Sequence, residues 1–313
     1  MQYIEHIKEA IGQKQDVTLF NLPENALPYL LNRDKLGKNF LILVENNDIA
    51  FDLESQIKAY GHHDVAVLPD VAKNPYDDLS YNVPLAFIRQ TLRHRLLAGL
   101  RPEIIITTME SLQSYWPGAE PFIEQCWSIE VDKEISRDQI AEKLLTNGYQ
   151  RVDLCEDPGT FTLRGSIIDV YNPSHNLPLR IDLFGDDVAS IKFFNASTQR
   201  TIKDLKAIDF YPIREIIFTS QSKNLAKQKL KTLGDSLTIP TRKVHAAIEE
   251  IEHGNYFFGI EALWPAFSEH KEKVIEQLLD EETGLFFLGI DSPESLCLEH
   301  WGQCEQAQQA AIE

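Results

Sequence analysis

Arg164, Arg180 and Phe184 are the side chains whose types and spacing best suggest a binding chemistry. In the stretch LPLRIDLFGDD, residues 177–187, apolar and polar residues alternate with a period of two. Alternate side chains of a strand share a face, which places Leu179, Ile181 and Leu183 on a predicted core face. Arg180, Asp182 and Phe184 then share the opposite face. A polar outer face is ordinary, but a phenylalanine on that face requires an explanation.

The stretch TFTLR, residues 160–164, alternates in the same way and directs Arg164 outward. If the two strands lie in one sheet, two arginines and one aromatic ring gather on one face. Arginine and aromatic side chains on a polar face are typical of protein–protein hot spots. The alternative stays open at this point: Phe184 folds beneath the GDD turn, and each arginine pairs with a local aspartate.

Catalytic motifs are not evident in the sequence. The loop expected to follow the first strand, TLFNLPENALPYLL at 18–31, has neither glycine nor lysine and contains Pro23 and Pro28. A phosphate cradle needs glycines and backbone N–H donors, which proline removes. The sequence therefore predicts no cofactor, no metal and no catalytic residue.

His62, His63 and Asp64 indicate a turn after Gly61, and Asp291 follows a predicted strand in a structural role. The four cysteines are predicted to be reduced packing residues, namely Cys126, Cys155, Cys297 and Cys304.

The charge balance argues against broad nucleic-acid binding. Lys and Arg total 30 and Asp and Glu total 48, so the formal net charge is −18, which repels phosphate. The sequence support for DNA binding is one basic cluster, which we interpret as a solvated helix face: Lys223, Lys227, Lys229, Lys231, Arg242 and Lys243. No apolar run is long enough to span a membrane, and the start resembles no signal peptide. We therefore expect no membrane partner and a cytoplasmic protein.

The elements that must position these residues change in character along the chain. Alternating strands and helices up to about residue 130 predict a parallel α/β lobe, with strands at 39–45, 65–70 and 103–108 and helices at 48–60 and 84–100. Short alternating runs over 149–211, broken by turn residues, predict an antiparallel β-rich insert. Helical patterns at 222–234, 242–254 and 292–313 and a strand at 284–291 follow. The predicted domains are thus 1–130, 131–215 and 216–313.

A long segment within the insert is similar to a known family. Residues 156–202, EDPGTFTLRGSIIDVYNPSHNLPLRIDLFGDDVASIKFFNASTQRTI, closely resemble the insert domain shared by the excision-repair helicase UvrB and the transcription-repair coupling factor, Mfd. The family pattern is E-x-G-x-[FY]-x-x-R-G-x-[IL]-[IL]-D-[IL]-[FY]-P, then P-x-R-[IL]-[ED]-x-F-[GD]-D-[ED], then F-[DN]-x-x-[ST]-Q-R. The departures are small: Asp157 precedes Pro158, and Asn172 precedes Pro173. Weaker resemblance covers residues 65–117 and 256–267.

The resemblance implies a function for the insert. Because the phosphate loop is missing, the chain looks like the N-terminal UvrB-like module of the coupling factor, a degenerate helicase-like lobe derived from the P-loop fold. It implies a non-catalytic module whose insert binds UvrA, with Arg164, Arg180 and Phe184 at family contact positions. In full-length members other domains engage RNA polymerase and translocate on DNA, and the lobes are implied to mask the insert. The alternative function is a nucleotide-dependent, UvrB-like helicase fragment in excision repair.

Overall fold

A computed structural model describes residues 27–28, 39–61, 64–71, 82–280, 283–290 and 292–312. The chain divides into two compact units. Unit 1 combines residues 1–77, 98–114 and 273–313, and unit 2 combines residues 78–97 and 115–272. The predicted strand that precedes the 18–31 loop, most of that loop, and His62, His63 and Asp291 lie outside the described residues.

Unit 1 contains a four-stranded parallel sheet in the order β14-β1-β3-β2. Its strands are β1 (Phe40–Val44), β2 (Val65–Leu68), β3 (Ile104–Thr108) and β14 (Gly284–Phe287). Its helices are α1 (Asn47–Ala59), α3 (Met109–Gln113), α9 (Val274–Leu278) and α10 (Pro293–Ile312). Every residue of β1 and β3 is buried, as expected for central parallel strands covered on both faces.

Helix α1 shows how the sequence forms the core of unit 1. The Asn46 side chain accepts a hydrogen bond from the Ile49 backbone N–H at 3.0 Å, which begins the helix. Ala50, Leu53 and Ile57 recur at helical spacing and are buried in one cluster with Ile42 and other residues of the sheet. The predicted helix at 48–60 and the predicted parallel sheet are confirmed.

Unit 2 is built on a six-stranded sheet in the order β11-β10-β9-β8-β7-β6. The strands are β6 (Gln150–Arg151), β7 (Thr160–Arg164), β8 (Ile167–Val170), β9 (Leu179–Phe184), β10 (Asp187–Phe194) and β11 (Thr201–Leu205). All neighbouring pairs are antiparallel except β6 with β7. The predicted antiparallel insert is therefore confirmed.

Further elements surround this sheet within unit 2. They are α2 (Val83–Leu97), β4 (Tyr115–Pro117), α4 (Ala119–Glu124), β5 (Trp127–Glu130), α5 (Arg137–Thr146), β12 (Ala207–Phe210) and β13 (Lys271–Lys273), whose last residue falls in unit 1. A capping box between Ser136 and Gln139 begins α5, and Ile140 and Leu144 of that helix enter the core. The core also contains Phe161, Ile168 and Ile181 from the sheet.

Gly159 marks the closest packing between α2 and the start of β7. Its φ of +79° is a left-handed conformation, and a Cβ placed there would lie 2.4 Å from Cζ of Phe87. Glycine is therefore required twice, once by the backbone and once by the approach of the ring.

A helical hairpin of α6 (Ser220–Ser236) and α7 (Thr241–His253) follows the sheet in unit 2, with a 3₁₀ turn (Ile260–Leu263) and α8 (Trp264–Phe267). Gly254, with φ of +74°, ends α7 in the left-handed conformation. Ala226, Leu230 and Ile251 are buried in the apolar cluster of this hairpin. The predicted helices at 222–234 and 242–254 are confirmed.

The α/β fold class, with a parallel and an antiparallel sheet, agrees with the sequence prediction. The derivation of the lobe from a helicase-like P-loop fold stays a prediction, and so do the boundaries at 130/131 and 215/216. By backbone contacts, residues 78–97 and 216–272 group with the antiparallel sheet in unit 2.

Candidate partner-binding surface

The pairing of β7, β8 and β9 places the three predicted binding residues on one face of the antiparallel sheet. Thr162 lies opposite Asp169, and Asp169 lies opposite Arg180. In the adjacent row, Arg164 lies opposite Ile167, which lies opposite Asp182. Phe184 comes two residues beyond Asp182 and therefore shares its face. The other face is the core face: Leu179, Ile181 and Leu183 are buried, as predicted.

Phe184 projects into solvent. It is 81% exposed, although it is the last residue of a strand whose alternate residues are buried. It pairs with Asp187 across a two-residue turn in which Gly185 has a φ of +65°. The backbone carbonyl of Asp186 accepts a hydrogen bond from Ile135 at 2.8 Å, which holds the turn in place. The alternative in which Phe184 folds beneath this turn is therefore wrong.

Arg164 is exposed at the end of β7. Its Nη2 donates to the backbone carbonyl of Asp153 at 2.7 Å. It makes no ion pair with any carboxylate in the described part of the chain, so its positive charge is not neutralised by a direct neighbour. The turn beside it is also held by an arginine, because Nη1 of Arg137 donates to the Gly165 carbonyl at 3.1 Å.

Arg180 is half-buried and already paired. Its Nε and Nη2 donate to the two carboxylate oxygens of Asp169 at 2.7 and 2.8 Å. Nη2 also donates to Oε1 of Gln199 at 2.8 Å, and the guanidinium carbon lies 4.5 Å from the ring centroid of Phe194. The hydrogen bond with Asp169 is the main cause that raises the pKa of Arg180 above its ordinary value. For this arginine the alternative of a local aspartate partner is correct.

Three residues that the sequence analysis did not single out thus belong to the surface. Asp169 is detectable in principle, because it alternates with Ile168 and Val170 and would face Arg180 if the pairing of β8 with β9 were known. Gln199 lies in a turn with φ of +59°, and turns carry no periodic signal. Arg137 is placed by the start of α5, which packs against the core through Ile140.

The remaining candidate residues form no second site in the described residues. No group of three or more His, Cys, Asp or Glu side chains there could hold a metal ion. All four cysteines are free thiols, and burial is the main cause that raises the pKa of Cys126 and of Cys155 to about 11. No described helix has the length and apolarity needed to cross a bilayer.

The basic cluster of α6 differs in part from a solvated face. Lys229 donates to the carbonyls of Pro265 and Ser268 at 3.1 and 2.6 Å. Lys223 donates to the Glu252 carbonyl at 3.1 Å, and Lys227 pairs with the Glu252 carboxylate. Of the cluster, Lys231 on α6 and Arg242 and Lys243 on α7 are exposed, and the other three are half-buried. The predicted solvated face is therefore wrong for Lys229, which joins α6 to the segment after α8.

Comparison with known families identifies the class of domain that carries this surface. Residues 127–216 match the family model described as the UvrB interaction domain, which covers the chain from β5 to the end of the antiparallel sheet and β12. The segment that contains the inserted sheet is thus similar to UvrB interaction domains.

Curated relatives extend the similarity beyond this domain. The transcription-repair-coupling factor of Myxococcus xanthus is 30% identical over 195 residues, 62% of this chain and 16% of that protein. The corresponding factor of Bacillus subtilis strain 168 is 32% identical over 190 residues, 60% of this chain and 15% of that protein. That of Borreliella burgdorferi is 33% identical over 133 residues, 42% of this chain and 12% of that protein. The predicted resemblance to a UvrB-like N-terminal module of transcription-repair coupling factors is confirmed.

Proposed function

We propose that this chain is a non-catalytic module that recruits UvrA, the damage-recognition protein of nucleotide excision repair, through the outer face of β7, β8 and β9. The observation that carries the proposal is the exposed ring of Phe184 on the same sheet face as Arg164, which has no ion pair among the described residues. An exposed aromatic ring and an exposed arginine on one face have the composition of a protein–protein hot spot.

The three residues contribute in different ways. Phe184 would supply the desolvated centre of the contact, because its ring is 81% exposed on this face. Arg164 would supply a charge-assisted hydrogen bond to an acidic group of UvrA, because its charge is uncompensated nearby. Arg180 would contribute from a fixed position, because Asp169 already holds it.

The wider setting follows from the relatives. We place the chain in the cytoplasm as part of a longer coupling factor, in which other regions engage RNA polymerase and DNA. The chain spans 16% of the Myxococcus relative, and we assign those activities to the remainder of such a factor. Within the described residues the antiparallel sheet offers the surface for UvrA, and the parallel sheet serves as a scaffold.

A double variant tests the proposal with a matched control. Arg164→Ala with Phe184→Ala should abolish retention of the 313-residue chain on immobilised UvrA. Arg242→Ala with Phe258→Ala removes the same two residue types from exposed positions outside the insert and should leave retention unchanged. Equal retention of both double variants would refute the proposal.

The helicase-fragment alternative is decided by a nucleotide titration. A fluorescent ATP analogue should show no saturable binding at micromolar concentrations if the module is non-catalytic. Saturable micromolar binding would favour the nucleotide-dependent alternative, whatever the outcome with UvrA.

A further inference from the structure

The donors of Arg180 are unequally used. A guanidinium carries five N–H donors, one on Nε and two on each Nη. Asp169 takes the Nε donor and one Nη2 donor, at 2.7 and 2.8 Å. Gln199 takes the second Nη2 donor at 2.8 Å. Among the described residues no hydrogen bond uses Nη1, so both of its donors remain for a partner.

The same guanidinium also lies over an aromatic ring. The ring of Phe194 is buried, and its centroid lies 4.5 Å from the guanidinium carbon. A ring in this position attracts the cation. The bidentate pair and the ring restrain the group, and the Gln199 bond adds a further restraint and completes the use of Nη2.

Gln199 is itself held firmly. Its backbone N–H donates to the Asn195 carbonyl at 2.8 Å, and its Nε2 donates to the Ala196 carbonyl at 2.7 Å. The Asn195 side chain accepts from the backbone N–H of Thr198 at 2.8 Å, which closes the turn between β10 and β11. Because both ends of the Gln199 amide are engaged, rotating the amide would lose two bonds and turn an N–H₂ group toward a cation.

We infer that Gln199 is a positioning residue that leaves Arg180 to present Nη1 alone to the partner. The inference rests on the proposed function, since it describes how that same surface recognises UvrA. An arginine used in this way donates to partner oxygen through Nη1 alone, so the contact in which two nitrogens grip one carboxylate is closed to it. The partner therefore meets Arg180 at a single nitrogen, whereas Arg164 is open to a contact through two nitrogens.

Two substitutions of Gln199 separate its side chain from its backbone. Glycine adopts a φ of +59° freely but has no amide. Asparagine also tolerates the left-handed conformation and keeps an amide, but it is one methylene too short to reach Arg180. Both Gln199→Gly and Gln199→Asn should weaken UvrA binding by about fivefold, because Arg180 would then be ordered only on binding and the cost of ordering it would fall on the complex. The thermal midpoint of the chain should stay unchanged in both.

A double-mutant cycle measures whether Gln199 acts on UvrA affinity through Arg180, which a purely structural role of Gln199 would not require. In an Arg180→Lys background the fork of donors is gone, so Gln199→Gly should change UvrA affinity by less than about twofold. A fivefold loss that persists in that background would overturn the inference. A loss in Gln199→Gly but not in Gln199→Asn would overturn it too, since the cause would then be a loosened turn.

Failure of this inference is distinguishable from failure of the proposed function. If Arg164→Ala, Phe184→Ala and Arg180→Lys weaken UvrA binding and neither Gln199 variant does, the positioning role is wrong and the recruitment function stands. If none of these variants weakens binding, both are wrong. In a structure of the complex, Nη1 of Arg180 should contact the partner while its bonds to Asp169 and Gln199 persist, and loss of those bonds on binding would contradict the inference.

Discussion

Arg180 and Asp169 lie directly opposite each other on β9 and β8, and two hydrogen bonds of 2.7 and 2.8 Å join their side chains. The carboxylate is buried, with 5% of its side chain exposed, whereas the arginine side chain keeps 24% exposed. One member of the pair is thus part of the fold, and the other reaches from the fold to the surface. A substitution of Arg180 therefore affects the stability of the fold as well as the binding surface.

Arg180→Ala should lower the free energy of unfolding by about 2–3 kcal/mol, because it leaves the buried Asp169 carboxylate without its cation. The figure is below that for a fully buried pair, since water reaches the arginine. Chemical denaturation with urea measures the loss. Arg164→Ala, which removes an exposed arginine, should change the same free energy by less than about 0.5 kcal/mol. Equal effects of the two substitutions would contradict the account of Asp169. A loss of UvrA binding in Arg180→Ala would therefore combine two effects, the lower stability of the fold and the loss of a contact with UvrA.

The salt dependence of UvrA binding should separate the two arginines. Arg164 has no ion pair among the described residues, whereas Asp169 neutralises Arg180. Arg164→Ala should therefore reduce the slope of log affinity against log salt concentration, whereas Arg180→Met with Asp169→Asn, which removes both charges of the pair, should leave that slope unchanged. Titrations at several salt concentrations measure both slopes. A slope unaltered by Arg164→Ala would show that its charge takes no part in the encounter.

Gly159→Ala should destabilise the chain by about 2–4 kcal/mol, because a methyl group would collide with Phe87 and the left-handed backbone would be strained. Gly185→Ala is the matched control. Gly185 also has a positive φ, +65°, but no atom lies within 4 Å of the added methyl group. Its substitution should cost about 1 kcal/mol, from the backbone alone. Thermal or urea unfolding of both variants measures the difference, and similar losses would mean that the Phe87 contact is unimportant.

The stability of the chain should fall as pH drops below about 6.5, the ordinary pKa of histidine. Burial lowers the pKa of His94, whose ring stacks on Tyr211 at a centroid distance of 4.3 Å, against a weaker opposing effect of Asp209. Because the pKa of His94 is lower in the folded chain, the unfolded chain takes up the proton first as pH falls. The contribution of His94 to the free energy of unfolding is therefore complete above its unfolded pKa and is lost as pH falls toward its folded pKa. His94→Phe keeps a ring and should flatten the dependence between pH 7 and pH 5. An unchanged pH profile would exclude His94 as its source.

Alternation along β9 is sufficient to predict which side chains are buried, because a strand with one covered face imposes a period of two. The burial of Leu179, Ile181 and Leu183 follows from that pattern. The pattern also puts Phe184 on the outer face, but its exposure of 81% is a finding of the structure. The parallel sheet of unit 1 is predictable for a similar reason, since continuous apolar runs such as Phe40–Val44 suit strands covered on both faces.

The hydrogen-bond partners of Arg180 cannot be predicted from alternation. They depend on the register between β8 and β9 and on a turn 19 residues further along the chain. Gln199 reaches the arginine through a left-handed backbone that no periodicity signals. The prediction that Lys229 is solvated is wrong for a related reason, because its carbonyl partners, Pro265 and Ser268, are distant in sequence. Local patterns predict which face a side chain lies on, and tertiary contacts decide whether it is already occupied.

The affinity of the chain for UvrA, compared between Phe184→Ala and Phe258→Ala, decides whether the outer face of β7, β8 and β9 binds UvrA. Both rings are exposed, 81% and 72%, but only Phe184 lies in the residues that match the UvrB interaction domain family. Truncating a hot-spot ring costs about 2 kcal/mol, so Phe184→Ala should weaken binding about 30-fold, with Phe258→Ala within about twofold of the unaltered chain. An affinity that is the same for Phe184→Ala and the unaltered chain would contradict the account.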